Sequence, residues 1–425
     1  MSQAPLPRDR FGLNRQKTII SSGIRQAFTP FEPINDANQL LERQQEVEQL
    51  LELLLTPGRH ALIFGERGVG KSSLAKVTTK EILQELFDAG SYQYSCDSSS
   101  TFEDVVCQPL ADVGIDINLD QSAAGITKTA SSGITTPVLN FAGSVQGSTT
   151  NTYKKYRPVS PGEAQRALNE LPAVLVVDEA DAIRDTQDKV RLAEFIKLLS
   201  DNHSKFRVMI VGIAETAAAL VGAHPSVQRC LGEIHLQRMS VDGLQQIIEK
   251  GSTSIGLSFR SDVRDRIVYC SNGYPFFTHL LGLSSGQETI FNGRTTVTLL
   301  DLGRSFVEAA RRSEGSLGMA YDAAVRSSHT EMYKHVLHGA SLFDKPEFTS
   351  KELRDAIGMV IEKTITQNSL NNYFAALVSN DGSKILLRVG KGVYRFTDPR
   401  MAAHVRIVNG VFLPLSPESD RPVLR

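Results

Sequence analysis

The chain has 425 residues, 41% of them apolar and 22% charged, with no tryptophan and a formal net charge of −1. That length accommodates two or three domains with full cores, and the charge balance excludes a wholesale polyanion binder, so any nucleic-acid contact is local. Apolar runs are strand-sized and MSQAPLPRDRFG at the N-terminus has no apolar h-region, so neither membrane spanning nor export is expected. Cys96, Cys107, Cys230 and Cys270 form no C-x-x-C spacing, which points to reduced thiols in a cytoplasmic protein rather than to a disulfide frame or a zinc site.

Residues 1–31 carry five Arg or Lys (Arg8, Arg10, Arg15, Lys17, Arg25) against Asp9 and lack sustained periodicity. They read as a basic arm, either mobile or strapped onto a neighbouring subunit or an acidic partner. From Asn38 to Leu55, apolar residues such as Leu40, Val47, Leu50 and Leu54 recur at helical spacing, and Thr56-Pro57-Gly58 ends the pattern.

A short apolar strand, Ala61 to Phe64, then leads into Gly65-Glu66-Arg67-Gly68-Val69-Gly70-Lys71-Ser72-Ser73, which satisfies G-x-x-x-x-G-K-[ST] and opens a helix expected to run from Gly70 to about Asp88. The glycines let the backbone bend closely around an anion, so that successive N–H groups and the positive end of the helix face phosphates. In that setting Lys71 meets the β/γ-phosphates and Ser72 ligates Mg²⁺. SYQYSC reads as a second strand, and Ser100 with Glu103 as the capping box of a helix over about 101–113.

Residues 120–159 are rich in Ser, Thr and Gly and read as an insertion, flexible or ordered by a partner, in which PVLNFAGSVQG can form a hairpin. Regularity returns with Ser160 at an N-cap, Pro161 at the first helical position and Glu163 at the third. The apolar run Ala173 to Val177 follows and ends in Asp178-Glu179, a strand end suited to holding the metal shell and polarising an attacking water. A helix over about 187–200 and a strand over 206–211 complete the alternation. Together these imply an α/β fold, a P-loop parallel sheet flanked by helices, with the ligand at the strands' C-terminal ends.

On these residues the chain resembles the AAA+ ATPases, most closely the branch shared by origin-recognition-type initiators, transposition ATP-binding proteins and STAND-type signalling ATPases. GERGVGKS resembles Walker A and VLVVDEAD resembles Walker B with its catalytic glutamate at Glu179. FTPFEPINDANQLLERQQEVEQL resembles the entry segment that covers the adenine. HPSVQRCLGEIHLQRMS resembles the segment presenting an arginine finger, which would make Arg229 a catalytic residue acting across a subunit boundary; its alternative is a surface arginine at a helix end. Gly273-Tyr274-Pro275 resembles the G-x-P turn whose proline, here Pro275, packs near the base. Two positions depart from the pattern: Phe276 stands where a sensor arginine is usual, and Val211-Gly212-Ile213-Ala214 offers no polar sensor side chain. Both departures suit a slow, ATP-gated switch.

The resemblance implies a core over 32–238, a helical lid over 239–316, a winged-helix domain over 317–410 and a tail over 411–425. Ser240, Ser261 and the segment TLLDLGRSFVEAARRS mark lid helices. Beyond them, helices near 331–338, from Thr349-Ser350 and over 367–378 precede two strand-like runs around Gly390-Lys391-Gly392. The wing carries Lys384, Arg388, Lys391 and Arg395, whereas the presumed recognition helix QNSLNNYFAALVS has no Lys or Arg, so duplex DNA and a regulatory or oligomerisation surface both stay open. The implied cofactors are ATP and Mg²⁺. The implied partners are further copies in a homo-oligomer and an effector or regulatory chain, with no membrane. Alternatives to the switch are an initiator-like or transposition-regulator-like DNA-binding ATPase, and an adaptor holding nucleotide as a structural ligand.

Overall fold

Five strands, β1 (His60–Phe64), β2 (Gly90–Ser95), β3 (Ala173–Asp178), β4 (Arg207–Gly212) and β5 (Leu231–His235), pair in the order β2-β3-β4-β1-β5, and all pairings are parallel. The computed structural model describes residues 13–83, 90–119, 156–213, 225–313, 315–326, 330–379 and 383–410. The central strands β3, β4 and β1 are apolar almost throughout because both faces of the sheet are covered there, whereas the edge strand β2, GSYQYS, is largely polar and exposed. Alternate residues divide between two cores: Ile63, Val176, Met209 and Val211 enter one, while Leu62, Leu175, Val177 and Ile210 enter the other.

The second of these cores is closed by the helices Phe102–Asp112, Pro161–Leu168 and Thr186–Asp201. Phe102 and Phe195 meet there edge to face at 5.6 Å. Ser160 caps its helix as expected, its hydroxyl accepting from the Glu163 N–H at 3.1 Å. The preceding capping box falls one residue later than expected, on Thr101 and Asp104. Arg191 and the Val159 N–H engage the Glu103 carboxylate, and Ser100 Oγ accepts from the Asp97 N–H, so neither is available to cap.

The other face is shared. Helices Val241–Ser254, Ser261–Ser271, Pro275–Phe291 and Leu299–Arg312 lie along it, with a small parallel pair, β6 (Ser258–Phe259) and β7 (Thr296–Val297), between them. Ser240 caps the first of these helices through the Gly243 N–H at 3.0 Å. Ser261 is not a cap but the first residue of its helix; Arg260 holds the cap position in extended conformation and donates its N–H to Val297 O. The helix expected from Asn38 begins only at Gln44, because Glu42 takes a left-handed φ of 56°.

The N-terminal segment, expected as an arm, packs over residues 13–28. It forms the helices Leu13–Ser21 and Ile24–Ala27, and Ile19, Ile24 and Phe28 are buried. Gly282 and Gly286 on the lid helix make room for it: a β-carbon at Gly282 would lie 2.5 Å from the Phe28 ring, and one at Gly286 2.4 Å from Ile24 Cδ1.

Beyond the lid, the helices Gly315–Val325, Met332–Ser341, Ser350–Ile361, Gln367–Val378 and Met401–Gly410 surround an antiparallel sheet of β8 (Glu347–Thr349), β9 (Leu386–Gly390) and β10 (Val393–Phe396), ordered β8-β10-β9. The last helix is almost wholly buried, and its Arg406 donates to Ser341 O, Phe343 O and, in the lid, Tyr269 O. The hairpin expected in PVLNFAGSVQG lies outside the described residues. A bridge between Asn118 and Tyr156 brings together the points where the chain enters and leaves that stretch. Among the described residues, no helix is long and apolar enough to cross a membrane.

Candidate functional site: a phosphate loop between core, lid and C-terminal block

β1 runs directly into the glycine loop. Gly65 passes so close to β5's end that a β-carbon there would sit 2.3 Å from Leu236 O, and Gly68 and Gly70 take φ of 80° and 99°, a region that side chains with a β-carbon avoid. The helix then starts at Lys71, continues to Val77 and widens into a π-helical stretch over Thr78–Leu83; residues 84–89, the rest of the expected helix, lie outside the described residues.

Lys71 Nζ arches back over the loop and donates to Gly65 O at 3.0 Å and Glu66 O at 2.8 Å. Burial pulls its pKa down, against the carboxylates of Asp181 and Asp178, while Arg67 and Arg400 add to the lowering. Arg67 reaches Asp181 at 4.0 Å. Ser73 Oγ accepts from the Ile34 N–H at 3.1 Å, pinning the entry segment to the loop, and Val69 is buried beneath it.

At the end of β3, Asp178 is buried and its Oδ1 accepts from the Glu179 N–H at 2.9 Å. Glu179 is exposed and holds a left-handed φ of 53°, a conformation that costs a residue other than glycine about 1–2 kcal/mol. The sharp turn directs the chain away from the sheet immediately after the two carboxylates.

A cavity of about 330 Å³ collects these groups. Residues of the loop from Arg67 to Ser73, together with Asp178, Glu179 and Asp181, line it. The entry segment Thr29–Ile34, with Pro275 and Phe276 of the lid, also lines it, Phe276 coming close to Gly68 of the loop. Gly212 and Ile213 line it as well, so the sensor stretch contributes no polar side chain up to Ile213; Ala214 lies outside the described residues. Arg229 is not brought to this cavity. It is 68% exposed on the turn before β5 and pairs with Asp201 at 3.0 Å.

Several groups at the site carry no local sequence signal. Glu66 does not face the cavity but accepts from Arg238 at 2.7 Å and from the Tyr274 hydroxyl at 2.5 Å. Burial opposes its ionisation, yet these two bonds outweigh it and hold the carboxyl below its usual range. Arg238 also lies over the Tyr274 ring at 4.8 Å. Arg43 braces the loop from behind, donating to Gln237 O at 2.8 Å and Val69 O at 3.3 Å. His279 Nδ1 accepts from the Thr29 N–H at 3.2 Å, and burial lowers the pKa of its ring to about 4. Arg400, from the C-terminal block, also lines the cavity, beside Gly68 of the loop.

A family model described as novel STAND NTPase 1 matches residues 26–275, which span the loop, both carboxylates and the G-x-P turn. The chain belongs to this family. Membership makes it a P-loop NTPase, a class that binds nucleotide together with a divalent metal. Among solved structures, the Walker-type ATPase PABY2304 of Pyrococcus abyssi has 17% identity, covering 88% of this STAND chain and 99% of its own, at a TM-score of 0.50. The fold is accordingly that of an AAA+ P-loop NTPase. Cdc6p from Pyrobaculum aerophilum, at 16% identity, and the ORC2 protein of Aeropyrum pernix, at 13%, each cover 91% of this chain. They are covered over 98% and 97% of their own length, at TM-scores of 0.45 and 0.48. No curated protein matches the chain.

Proposed function

We propose that this STAND NTPase is a slow ATP-hydrolysing switch that changes conformation or assembles with ATP to control a partner chain. The observation that carries the reading is the convergence of Lys71, Ser72, Asp178 and Glu179 on one cavity at the C-terminal end of a parallel sheet. In this reading the loop from Gly65 to Ser73 cradles the phosphates, Lys71 neutralises the β/γ charge and Pro275 packs near the base. Ser72 and Asp178 fit a Mg²⁺ ion, since one hydroxyl and one carboxylate are the few protein ligands that such an ion takes beside phosphate and water. Among the described residues no group of three or more His, Cys, Asp or Glu forms a self-sufficient metal cage, in keeping with a shared ion. When bound, the ion offsets charge on the β- and γ-oxygens. Glu179 accepts a proton from the attacking water as its oxygen bonds to the γ-phosphorus, the bond from that phosphorus to the bridging oxygen breaks, and ADP and phosphate leave, the proton on Glu179 returning to phosphate or solvent.

The division into core, helical lid and winged helix belongs to the same proposal. The antiparallel sheet packed on three helices supports the winged helix, and the exposed position of Arg229 outside its own cavity supports a role across a boundary in a cytoplasmic homo-oligomer. A second reading, an initiator-like or transposition-regulator-like ATPase that grips duplex DNA, is favoured by the exposed side chains of Arg388 and Lys391 at the β9–β10 turn and of Lys384 at the other end of that hairpin.

ATP turnover and particle mass, recorded for the wild type and Glu179→Gln with and without duplex DNA, test both. Turnover that Glu179→Gln abolishes, with ATP-dependent growth in mass, supports the switch. Salt-sensitive stimulation by DNA moves the balance to the second reading. Equal inactivity of both chains as monomers removes the support for Glu179 and Arg229.

A further inference from the structure

The lid carries Phe276 at the position where a sensor arginine is usual, yet the cavity does not lack an arginine beside the phosphate loop. Arg400 lies there, only 3% exposed, although it belongs to the C-terminal block more than 300 residues further along the chain than the loop. Its side chain passes directly over the loop: a β-carbon on Gly68 would meet Arg400 Cδ at 3.5 Å and Phe276 Cβ at 3.8 Å. The two side chains thus share one side of the same loop residue.

Asp398 fixes the guanidinium. Arg400 Nε donates to Asp398 Oδ1 at 3.1 Å and its second nitrogen to Oδ2 at 2.7 Å, a fork geometry that sets direction as well as distance. The same aspartate accepts the Arg400 N–H at 3.0 Å, and its carbonyl accepts the Met401 N–H at 3.0 Å, so the clamp is also the start of the buried helix Met401–Gly410. The arginine is therefore held before any ligand arrives. Its charge acts on Lys71 across the cavity and helps to lower the lysine's pKa. Lys71, Arg67 and Arg400 line the same cavity with Asp178 and Asp181 among them, so an anion carrying several charges would be drawn to the cationic side. Of the other arginines at the loop, Arg238 is committed to Glu66, Arg43 to the carbonyls of Gln237 and Val69, and Arg67, itself a loop residue, is 59% exposed and reaches Asp181 at 4.0 Å.

We propose that Arg400 is the arginine that contacts the terminal phosphate of the bound nucleotide, supplied in cis by the C-terminal block in place of the lid, with Asp398 as its positioning residue. The proposal rests on the reading of the loop as an ATP site. Its consequence is that the C-terminal block, not the lid alone, registers whether the third phosphate is present. Arg406 on the same helix bonds to carbonyls of both the lid and the block, so a shift at Arg400 reaches both.

The test measures equilibrium affinities of the full chain for Mg²⁺-ADP and for a non-hydrolysable Mg²⁺-ATP analogue in four forms: wild type, Lys71→Ala, Arg400→Met and Arg400→Lys. Methionine keeps the aliphatic contact over Gly68 and removes the charge. Arg400→Met is expected to weaken the analogue on the order of 10- to 100-fold while ADP changes less than about threefold, with Arg400→Lys between. Lys71→Ala is expected to weaken both nucleotides. If Arg400→Met moves both affinities equally, or neither, while Lys71→Ala abolishes binding, the proposal fails and the loop reading stands. If Lys71→Ala leaves both intact, the loop reading itself fails, and this proposal with it. Hydrogen exchange on the wild type needs no variant to fold: amides of Met401–Gly410 are expected to exchange more slowly with the analogue than with ADP, and equal rates overturn the proposal.

Discussion

The two faces of the five-stranded sheet are built from the same alternating strands but do different work. One is closed by three helices that precede and follow β3, and its core, with Phe102, Phe195 and Phe206, draws its members among the described residues from 62–231 alone. The other is covered by the N-terminal helices and the lid, and its core runs on without interruption into the C-terminal block. A face closed by its own sequence neighbours can only add stability. A face shared with segments from both ends of the chain can also transmit, because any displacement at the phosphate loop has to be absorbed by elements that lead elsewhere.

The largest effect is expected where the two faces meet, at the end of β3. Glu179→Gln should lower turnover by about 10²–10⁴-fold with both cores undisturbed, so that the melting temperature stays within error of wild type while the rate collapses. A parallel loss of stability would mean that the left-handed turn at Glu179, not its carboxylate, had been disturbed. Next comes the closed face. Phe195→Ala should cost about 3–5 kcal/mol of global stability in chemical denaturation, whereas Phe28→Ala, removing a ring just as buried on the shared face, should release residues 13–28 locally in hydrogen exchange before the global transition moves as far. Equal global losses would erase the distinction.

Acid should separate the faces as well. His279 and His404 lie on the shared side, and burial lowers both to about 4, with Asp322 opposing the shift at His404. A histidine kept neutral in the fold but titrating near 6.5 when unfolded stabilises fully above about 6.5. Each ring loses up to about 1.4 kcal/mol per pH unit as the pH falls from there towards 4. Lid and C-terminal amides should therefore begin to exchange faster near pH 5, ahead of those of Thr186–Asp201. His60 in β1, lowered to about 3 by burial and then by Arg207, adds a loss of the same sign to the sheet itself. The smallest effect is expected at Gly282→Ala, where the added methyl would press on Phe28. About 1–3 kcal/mol of overpacking should appear as faster exchange of the N-terminal helices, with nucleotide affinity unchanged.

What could be read from the sequence was whatever is local. The loop from Gly65 to Ser73 and the strand end at Asp178-Glu179 are contiguous, so spacing alone carries them, and the caps at Ser160 and Ser240 are side chains acting three residues away. The misjudged caps show the limit. Ser100 and Glu103 satisfy the local pattern, but a bond from Arg191, 88 residues on, takes Glu103 away. The same limit hid Arg238, Tyr274, His279 and Arg400, each of which reaches the site only through tertiary packing. Residues 13–28 pack although their sequence reads as an arm, because their apolar pattern is short and its complement, glycine notches in a helix more than 250 residues later, has no signature at either end. Asp398-Pro399-Arg400 was the one hint available, an acid and a base close enough to clamp each other, but nothing in it pointed to phosphate.

The seating of Phe28 against Gly251 and Gly282 also bears on how the chain is made. This segment is made well before it can find its place, since the notches that receive it are synthesised more than 220 residues later, and closing so long a loop is slow relative to local helix formation. Until then Ile24 and Phe28 stay uncovered on a nascent chain whose closed-face core can already assemble, which makes this segment a natural ligand for a chaperone. Pulsed hydrogen exchange during refolding should find the amides of Ile24–Ala27 protected in the last phase; protection in the first would mean that the segment docks elsewhere before the lid exists.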